Sequence, residues 1–294
     1  MISRNSDRIV ISGAGGMLGR SLAGQARRQG RDVLALTSAE WDITDPAAAE
    51  RFIQSGDVVI NCAAYTRVDA AEDDQERAHA VNALGPENVA QACARVGANL
   101  IHISTDYVFS GAQHRPYEID DETGPLGVYG RTKLAGELMV LAAMPDAHIV
   151  RTAWVYEGAD GGDFVAVMRR LAARDGPVEV VADQVGSPTY VGDLAGALLQ
   201  IADDGSIREP VLHAANEGAV SRFTQAQAVF ETVGADPDRV RPVGTDRHPR
   251  PAPRPAYSAL SARRSAEAGL TPLRPWREAL AAALAMAGPL PSTP

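Results

Sequence analysis

A short apolar run, a glycine-rich segment and an alanine-rich stretch follow one another at the start of this chain. Residues 9–11 (Ile-Val-Ile) lead into the segment from Gly13 to Gly19, which opens a helical pattern over residues 18–29. Glycines there permit a tight turn and let the backbone approach a pyrophosphate, whose charge is stabilised by the N–H groups and positive dipole of the helix end. The glycines at 13, 16 and 19 have two residues in each gap, whereas the common dehydrogenase fingerprint has one and then two. We therefore predict dinucleotide binding, against the alternative of a turn made for packing only.

The same alternation of strand-like and helical patterns continues through the first half of the chain. β-Branched runs recur at residues 33–36, 58–60, 100–103 and 148–150, and helical patterns cover residues 77–96 and 130–141. Repeated strand–helix–strand units build a parallel sheet that is covered on both faces, because right-handed crossovers place a helix over the sheet each time. The sequence thus predicts an α/β fold, a Rossmann-type doubly wound parallel sheet, with residues 1–150 as the dinucleotide-binding core.

After residue 150 the pattern loosens. It predicts a strand at residues 178–181, helices at 164–174 and 191–202, and a last helix from about Pro275-Trp276 to Gly288. Residues 240–255 are rich in Pro and Arg and indicate a long ordered loop. We expect residues 151–294 to form mainly a smaller α/β substrate-binding lobe, with some segments returning to the core, and residues 289–294 to be a disordered tail.

Composition narrows the classes of partner. The chain has 28 Lys+Arg against 37 Asp+Glu, a formal net charge of −9 and no basic tract, so we expect no nucleic-acid partner. No signal-peptide core and no apolar stretch long enough for a bilayer is visible, which predicts a cytoplasmic protein that makes no membrane contact. Cys62 and Cys93 stand in no metal or redox spacing, and the six histidines show no paired spacing, so no metal site is expected.

A tyrosine and a lysine one helical turn apart carry the strongest chemical signal. Tyr129 and Lys133 are at i and i+4 in the predicted helix, on one face and close enough for the ammonium to lie beside the phenol. A phenol with a pKa near 10 is a poor acid or base at neutrality, but an adjacent cation favours the phenolate and brings the pKa closer to that range. The alternative is a surface helix with no chemical role.

The predicted strand ends bring further side chains to the same sheet edge. The third strand runs into Ala63-Ala64-Tyr65-Thr66, and the fourth ends at Ser104-Thr105-Asp106-Tyr107. Because the carboxyl ends of parallel strands meet at one edge, the Thr105 hydroxyl is expected beside the Tyr129 phenol, completing a Thr, Tyr, Lys set. Read alone, the segment Ser104-Thr105-Asp106 is also compatible with a turn that only caps its strand.

The end of the second strand bears on which dinucleotide is used. The strand ends at Leu36-Thr37-Ser38, where an NAD-restricted site usually offers a carboxylate to the ribose 2′-hydroxyl, and no acid stands there. A 2′-phosphate is not repelled, so we expect NADPH, with NADH possible. Asp42 and Ile43 follow closely and are predicted either to hold the adenine edge or, for Asp42, to cap a helix after Pro46.

Several segments together resemble a known family. They are Gly13 to Gly19, Asn61 to Asp69, Ser104 to Phe109, Tyr129 to Glu137, Arg151 to Tyr156, Asp183 to Tyr190 and Arg254 to Leu260. In this order they resemble the extended short-chain dehydrogenase/reductases, and within them the branch that reduces dTDP-linked 4-keto-6-deoxy sugars. The match covers nearly the whole chain, and the block from Asp183 to Thr189 is its most specific part.

The resemblance implies a reaction and a set of residues. The reaction is NADPH-dependent reduction of dTDP-4-dehydro-L-rhamnose to dTDP-L-rhamnose, a precursor of cell-surface polysaccharide. The implied catalytic residues are Thr105, Tyr129 and Lys133. The implied cofactor contacts are Gly13, Gly16, Met17, Leu18, Asp42, Ile43, Ala63, Ala64, Tyr65, Tyr129 and Lys133. The implied sugar contacts are Thr66, Thr105, Asp106, Tyr107 and Trp154, although by spacing alone Trp154 fits a core position.

Alternatives remain within and outside this branch. Related 4,6-dehydratases resemble one another in an Asp-Glu pair after the catalytic Thr, whereas Tyr107 follows Asp106 here, which favours simple reduction over elimination. A reductase of a different deoxysugar, an epimerase, or a non-catalytic cofactor-binding regulatory subunit stays open. Some relatives are described with magnesium at a dimer contact, but Ser21 and Gly192 occupy the matching positions and cannot supply carboxylates. No metal is therefore expected, and the chain is expected to be a monomer or a weak homodimer.

Overall fold

The computed structural model describes residues 8–159 and 161–288; the predicted tail at residues 289–294 lies outside the described residues. The first half alternates strands and helices as expected. Its elements are β1 Ile9–Ser12, α1 Met17–Arg28, β2 Val33–Leu36, β3 Val58–Asn61, α2 Gln75–His79, α3 Gly85–Val96, β4 Asn99–Thr105, α4 Val128–Ala143 and β5 His148–Thr152.

The second half consists of shorter strands and helices. Its elements are β6 Val155–Tyr156, α5 Phe164–Ala172, β7 Val178–Val181, β8 Val185–Gly186, β9 Thr189–Tyr190, α6 Val191–Asp203, β10 Val211–His213, β11 Asn216–Glu217, β12 Val220–Ser221, α7 Arg222–Thr232, β13 Val240–Val243, α8 Arg263–Glu267, β14 Leu273–Pro275 and α9 Trp276–Met286.

Six strands form one sheet in the order β10-β5-β4-β3-β1-β2, and every neighbouring pair is parallel. This confirms the predicted doubly wound α/β fold. The strand order reverses at β1, which has β2 on one side and β3 on the other, so connections leave β1 and β3 in opposite directions. In open parallel sheets a crevice for ligands lies at the carboxyl ends of strands at such a point.

Alternating side chains bury both faces of the sheet. Ile9 and Ile11 point to the face that α1 and α6 cover, whereas Val10 points to the face covered by α3. All four residues of β1 are fully buried, as expected for a central parallel strand. A separate hydrophobic cluster, which includes Val165, Phe230 and Leu284, joins α5, α7 and α9.

Two predictions of local structure differ from what is observed. The single helix predicted at residues 77–96 is interrupted by a π-helical turn, Ala80–Leu84, between α2 and α3. Asn82 in that turn donates its amide to the Tyr65 carbonyl and to the Thr132 hydroxyl, both at 3.1 Å, and these contacts hold the wider turn against α4. The loop predicted at residues 240–255 is wrong in its first part, because β13 pairs in parallel with β7. The proline in β13 is tolerated since the two strands form a sheet of their own.

Candidate active site

A cleft of about 1080 Å³ opens at the carboxyl ends of β1, β3, β4 and β5. It brings together most of the side chains singled out from the sequence. The predicted residues that line it are Gly13, Gly16, Met17, Leu18, Asp42, Ile43, Ala63, Ala64, Thr66, Thr105, Asp106, Tyr129, Lys133 and Trp154. Two predicted contacts, Tyr65 and Tyr107, are not part of its lining.

The glycine segment forms a close-packed turn with room only for backbone. Gly13 has a φ of +68°, and a Cβ there would lie 2.6 Å from the Ala63 nitrogen. A Cβ at Gly19 would lie 2.5 Å from the Gly13 carbonyl oxygen. Gly16 is the N-cap residue of α1, and no side chain caps the helix. The free N–H groups and helix dipole at this end of the cleft fit a dinucleotide pyrophosphate.

The end of β2 holds an acid that the sequence pattern did not reveal. The Glu40 carboxylate accepts hydrogen bonds from the Thr37 backbone N–H and hydroxyl, both at 2.8 Å, and these bonds lower the pKa of Glu40. The expectation that no acid stands at this strand end is therefore wrong. A cation is also present on the glycine segment, since Arg20 donates to the Gly15 carbonyl at 2.6 Å.

Asp42 and Tyr65 have local structural roles. The Asp42 carboxylate accepts from the backbone N–H and hydroxyl of Thr44, at 2.9 and 2.8 Å, and is exposed at the rim of the cleft. It forms a turn and does not cap an α-helix. Tyr65 is buried, and its backbone N–H donates to the Asn82 side chain while its hydroxyl reaches Asp74.

The Thr105 hydroxyl is bonded to a buried carboxyl and lies near the predicted catalytic acid. It donates to Asp106 at 3.0 Å and accepts from the Tyr107 backbone N–H at 3.2 Å, and it influences the pKa of the Tyr129 phenol. Burial raises the pKa of Tyr129, an effect that the nearby Thr105 hydroxyl opposes and that the negative charge of Asp106 strengthens. Burial also raises the pKa of Asp106 to about 6, against hydrogen bonds from Ser258 and Thr105. The phenol is thus held in its protonated form.

Lys133 lies deeper than the helical spacing suggested. Its ammonium nitrogen donates to the Ile103 carbonyl at 2.6 Å and lies 3.3 Å from Nε2 of His102. Within the described residues, the hydrogen bonds of the Lys133 ammonium do not include one to the Tyr129 phenol. Burial lowers the pKa of Lys133 to about 8, although the charge of Glu137 opposes this shift. The lysine therefore changes charge near neutral pH.

A buried ion pair lies directly behind the lysine. Glu137, one turn after Lys133 on α4, accepts from Arg151 at 2.7 Å and also from the Ser104 hydroxyl. Arg151 donates in addition to the Ile119 carbonyl at 3.1 Å. Glu137 and Arg151 are both less than a tenth exposed, so their mutual pairing compensates for much of the cost of burying charge.

Two arginines to which the sequence analysis gave no role lie beside the expected sugar contacts Trp154 and Tyr107, although neither lines the cleft. The guanidinium of Arg222 lies 3.5 Å from the ring centroid of Trp154, and Arg254 is bonded to Asp69. The Tyr107 ring meets the Tyr129 ring edge-on, with centroids 5.7 Å apart. Both arginines are far in sequence from the residues that they approach, so no local spacing predicts these contacts.

No group of three or more His, Cys, Asp or Glu side chains suited to a metal ion occurs within residues 8–159 and 161–288. No helix in the same residues has both the length and the apolar character needed to cross a membrane.

The parallel sheet, the glycine turn at its switch point and the Thr, Tyr, Lys set define a short-chain dehydrogenase/reductase. The chain belongs to the family described as RmlD substrate binding domain, whose model matches residues 7–288. It is 69% identical to the dTDP-4-dehydrorhamnose reductase of Mycolicibacterium smegmatis, over 98% of this chain and 90% of that protein. The protein of the same name from Mycobacterium tuberculosis is also 69% identical, over 95% of this chain and 93% of that protein.

A solved structure supports the same family assignment. The dTDP-4-dehydrorhamnose reductase of Bacillus anthracis in complex with NADP superposes with a TM-score of 0.90 at 35% sequence identity. The alignment covers 96% of this chain and 99% of that one.

Proposed function

We propose that this chain reduces the 4-keto group of dTDP-4-dehydro-L-rhamnose to give dTDP-L-rhamnose, with NADPH as the reductant. The observation that carries the proposal is that Thr105, Tyr129 and Lys133 line one cleft together with Trp154 and the glycine turn. The names of the two relatives at 69% identity and the NADP complex of the Bacillus anthracis protein support it. We infer that the reaction takes place in the cytoplasm and supplies a precursor of cell-surface polysaccharide.

The turn from Gly13 to Gly19 and the N-terminus of α1 are the proposed holder of the NADPH pyrophosphate. The Cβ positions of Gly13 and Gly19 are filled by neighbouring backbone, so any larger residue there closes the approach. When bound, NADPH supplies the hydride for the ketone carbon. Lys133 lines the same cleft and is the proposed partner of the nicotinamide ribose.

Tyr129 is the proposed proton donor. Because its pKa is raised, the phenol is protonated at neutral pH and has a proton to give to the oxygen of the former ketone. Thr105 and Tyr129 are the proposed hydrogen-bond partners of that oxygen, where negative charge develops. Tyr107 stands where an eliminating enzyme needs an acid, and burial raises its pKa, so it remains a neutral phenol. This favours reduction over dehydration.

The test is oxidation of NADPH by the purified protein in the presence of dTDP-4-keto-L-rhamnose. Tyr129→Phe is expected to lower kcat by about 10²–10⁴-fold, the usual contribution of a positioned proton donor, and to leave the Kd for NADPH unchanged. Tyr156→Phe is the matched control, since that phenol is buried outside the cleft and has no hydrogen-bond partner within the described residues.

Folded protein that oxidises neither NADPH nor NADH with this sugar contradicts the proposal. Tight NADPH binding without turnover of any deoxysugar nucleotide identifies a regulatory subunit instead. Faster turnover of another 4-keto sugar keeps the chemistry and changes the substrate.

A further inference from the structure

Lys133 is the sole lysine in the 294-residue sequence, and it terminates a row of buried polar side chains. Ser12 on β1, Asn61 on β3 and His102 on β4 are register neighbours across three adjacent parallel strands. Each of the three is 1% exposed or less, and Lys133 is 2% exposed. The mechanism proposed above uses none of the three. A buried row of polar side chains across a hydrophobic sheet is costly unless its hydrogen bonds are satisfied, so the direction of each bond matters.

A backbone N–H fixes the direction of the hydrogen bonds along this row. The N–H of Ala63 points at the Asn61 side chain at 3.1 Å and can only donate, so the atom it faces is the amide oxygen. The Ser12 hydroxyl donates to the same oxygen at 2.6 Å. The Asn61 amide nitrogen therefore faces Nδ1 of His102, at 3.2 Å, and donates to it.

This arrangement selects one tautomer of the imidazole. Nδ1 of His102 accepts a hydrogen bond, so in the neutral ring the proton resides on Nε2. That N–H faces the Lys133 nitrogen at 3.3 Å. An ammonium has no lone pair to accept it, whereas an uncharged amine accepts it and still donates one of its own protons to the Ile103 carbonyl.

We propose that Asn61 and His102 are positioning residues that favour the uncharged amine of Lys133, by presenting an imidazole N–H to its nitrogen. The proposal concerns the free protein, and only its consequence for turnover rests on the proposed reductase function. Burial acts in the same direction, since it lowers the pKa of Lys133 to about 8 and the pKa of His102 well below its usual value.

The other groups around Lys133 do not change charge in the same pH range. Burial raises the pKa of Cys62 to about 12 and also raises the pKa of Tyr129, so the thiol and the phenol stay neutral. Glu137 on α4 is paired with Arg151 on β5. A charge change near pH 8 in this part of the cleft is therefore that of the lysine.

Three variants distinguish an effect of hydrogen-bond direction from an effect of side-chain packing. Asn61→Asp keeps the shape of the side chain, but both of its carboxylate oxygens can only accept hydrogen bonds. His102 must then carry its proton on Nδ1 and present the lone pair of Nε2 to the Lys133 ammonium. His102→Gln keeps the direction, because its amide oxygen accepts from Asn61 and its amide nitrogen donates to Lys133. Ser12→Ala removes a bond from the same Asn61 oxygen without altering the direction of the row.

Nuclear magnetic resonance on the free protein provides the readout. With lysine labelled at Cε, the sole lysine gives a single side-chain resonance whose pH titration reports its protonation, and long-range nitrogen spectra of the histidines report the His102 tautomer. We expect the Nε2–H tautomer in the unsubstituted protein and a lysine midpoint near pH 8. Asn61→Asp should move the midpoint up by about one unit or more, the usual effect of an opposite charge nearby. His102→Gln and Ser12→Ala should leave it in place.

Two results overturn the proposal: an Nδ1–H tautomer of His102 in the unsubstituted protein, or an Asn61→Asp protein that is folded but keeps the tautomer or the lysine midpoint unchanged. If Asn61→Asp does not fold, the His102 tautomer of the unsubstituted protein still tests the proposal.

Turnover gives a separate measurement. Because the ammonium stabilises the phenolate that remains after Tyr129 gives up its proton, the alkaline fall in kcat should move upward with the lysine midpoint in Asn61→Asp. Absence of any turnover counts against the proposed function and leaves the resonance result standing.

Discussion

The Arg222 guanidinium lies 3.5 Å from the centroid of the Trp154 indole ring, and Trp154 is held in a strained backbone conformation. Its φ of +47° is the only positive value for a non-glycine residue in ranges 8–159 and 161–288. Such a conformation costs of order 1–3 kcal/mol and persists where surrounding contacts determine it. Arg222 covers the ring from α7, while Gly186 on β8 lies so close to the ring that it has no room for a side chain. These contacts thus hold the Trp154 ring in one orientation at the proposed sugar end of the cleft.

Gly186→Ala tests whether this ring position matters for the sugar. An added Cβ would lie 2.4 Å from Cε2 of Trp154, so the indole must move. We expect the KM for the sugar nucleotide to rise about tenfold, equivalent to ~1.4 kcal/mol of lost binding, with the Kd for NADPH unchanged. Gly24→Ala on α1 is the control, because its nearest new contact is the flexible end of Arg28 at 3.4 Å. An unchanged KM in Gly186→Ala would show that the ring position is irrelevant to the sugar.

Gly13→Ala is expected to abolish NADPH binding and to lower the melting temperature. The substitution strains a left-handed residue, which costs about 1–2 kcal/mol, and it drives a methyl group into the Ala63 backbone at 2.6 Å. Gly30→Ala is a matched control: its φ is +75°, but no atom lies within 4 Å of the new Cβ. Fluorescence titration with NADPH and thermal unfolding measure the two effects. Equal loss of NADPH affinity in both variants would show that backbone strain, not the close approach to Ala63, is responsible.

Local patterns predicted the sheet and the side chains at its edge. The β-branched runs became β1 to β5 within one or two residues, because strand periodicity and flanking glycines are local properties. Gly13 and Thr105 followed from the strand ends, since parallel strands bring their carboxyl ends together regardless of the length of the connections. Tyr129 followed from its i, i+4 spacing with Lys133 in a predicted helix.

Contacts between distant segments account for what the sequence did not predict. Arg222 reaches Trp154 across 68 positions of sequence, the difference between the two residue numbers, and only the folded packing of α7 brings them together. Glu40 escaped notice because its carboxylate turns back three residues to Thr37. His102 was passed over as one of six unpaired histidines, although its spacing of two from Ser104 already placed both on one face of β4.

Asp106→Asn should change how stability depends on pH. The pKa of Asp106 is raised from 3.8 to about 6 in the folded protein, so the native state binds more protons than the unfolded state between these values, and stability falls as the pH rises through them. The asparagine variant lacks this loss. Relative to the unsubstituted protein, its free energy of unfolding should therefore improve by at most about 3 kcal/mol between roughly pH 4 and pH 7. Urea unfolding at the two pH values measures the difference, and an equal difference at both would mean that Asp106 has an ordinary pKa.

Glu137→Gln should destabilise the protein strongly, because it leaves the Arg151 guanidinium buried without a countercharge. Breaking a buried pair from one side typically costs about 3–5 kcal/mol, whereas an exposed pair contributes little. Arg95 and Glu50 provide the matched control: their separation of 2.9 Å is similar to the 2.7 Å of Arg151 and Glu137, but both side chains are at least half exposed. Glu50→Gln should accordingly leave the free energy of unfolding almost unchanged.

A double-mutant cycle with Arg151→Met isolates the ion pair from the rest of the site. Each single variant leaves one charged partner alone in the interior, whereas the double variant leaves neither, so the double should be less destabilised than the sum of the two singles. The Ile119 carbonyl loses its donor in both Arg151→Met proteins, and this shared cost cancels in the cycle. Denaturant unfolding of the four proteins gives the coupling free energy. Simple additivity would mean that Glu137 and Arg151 are compensated by other groups, and that the charge behind Lys133 is not set by this pair.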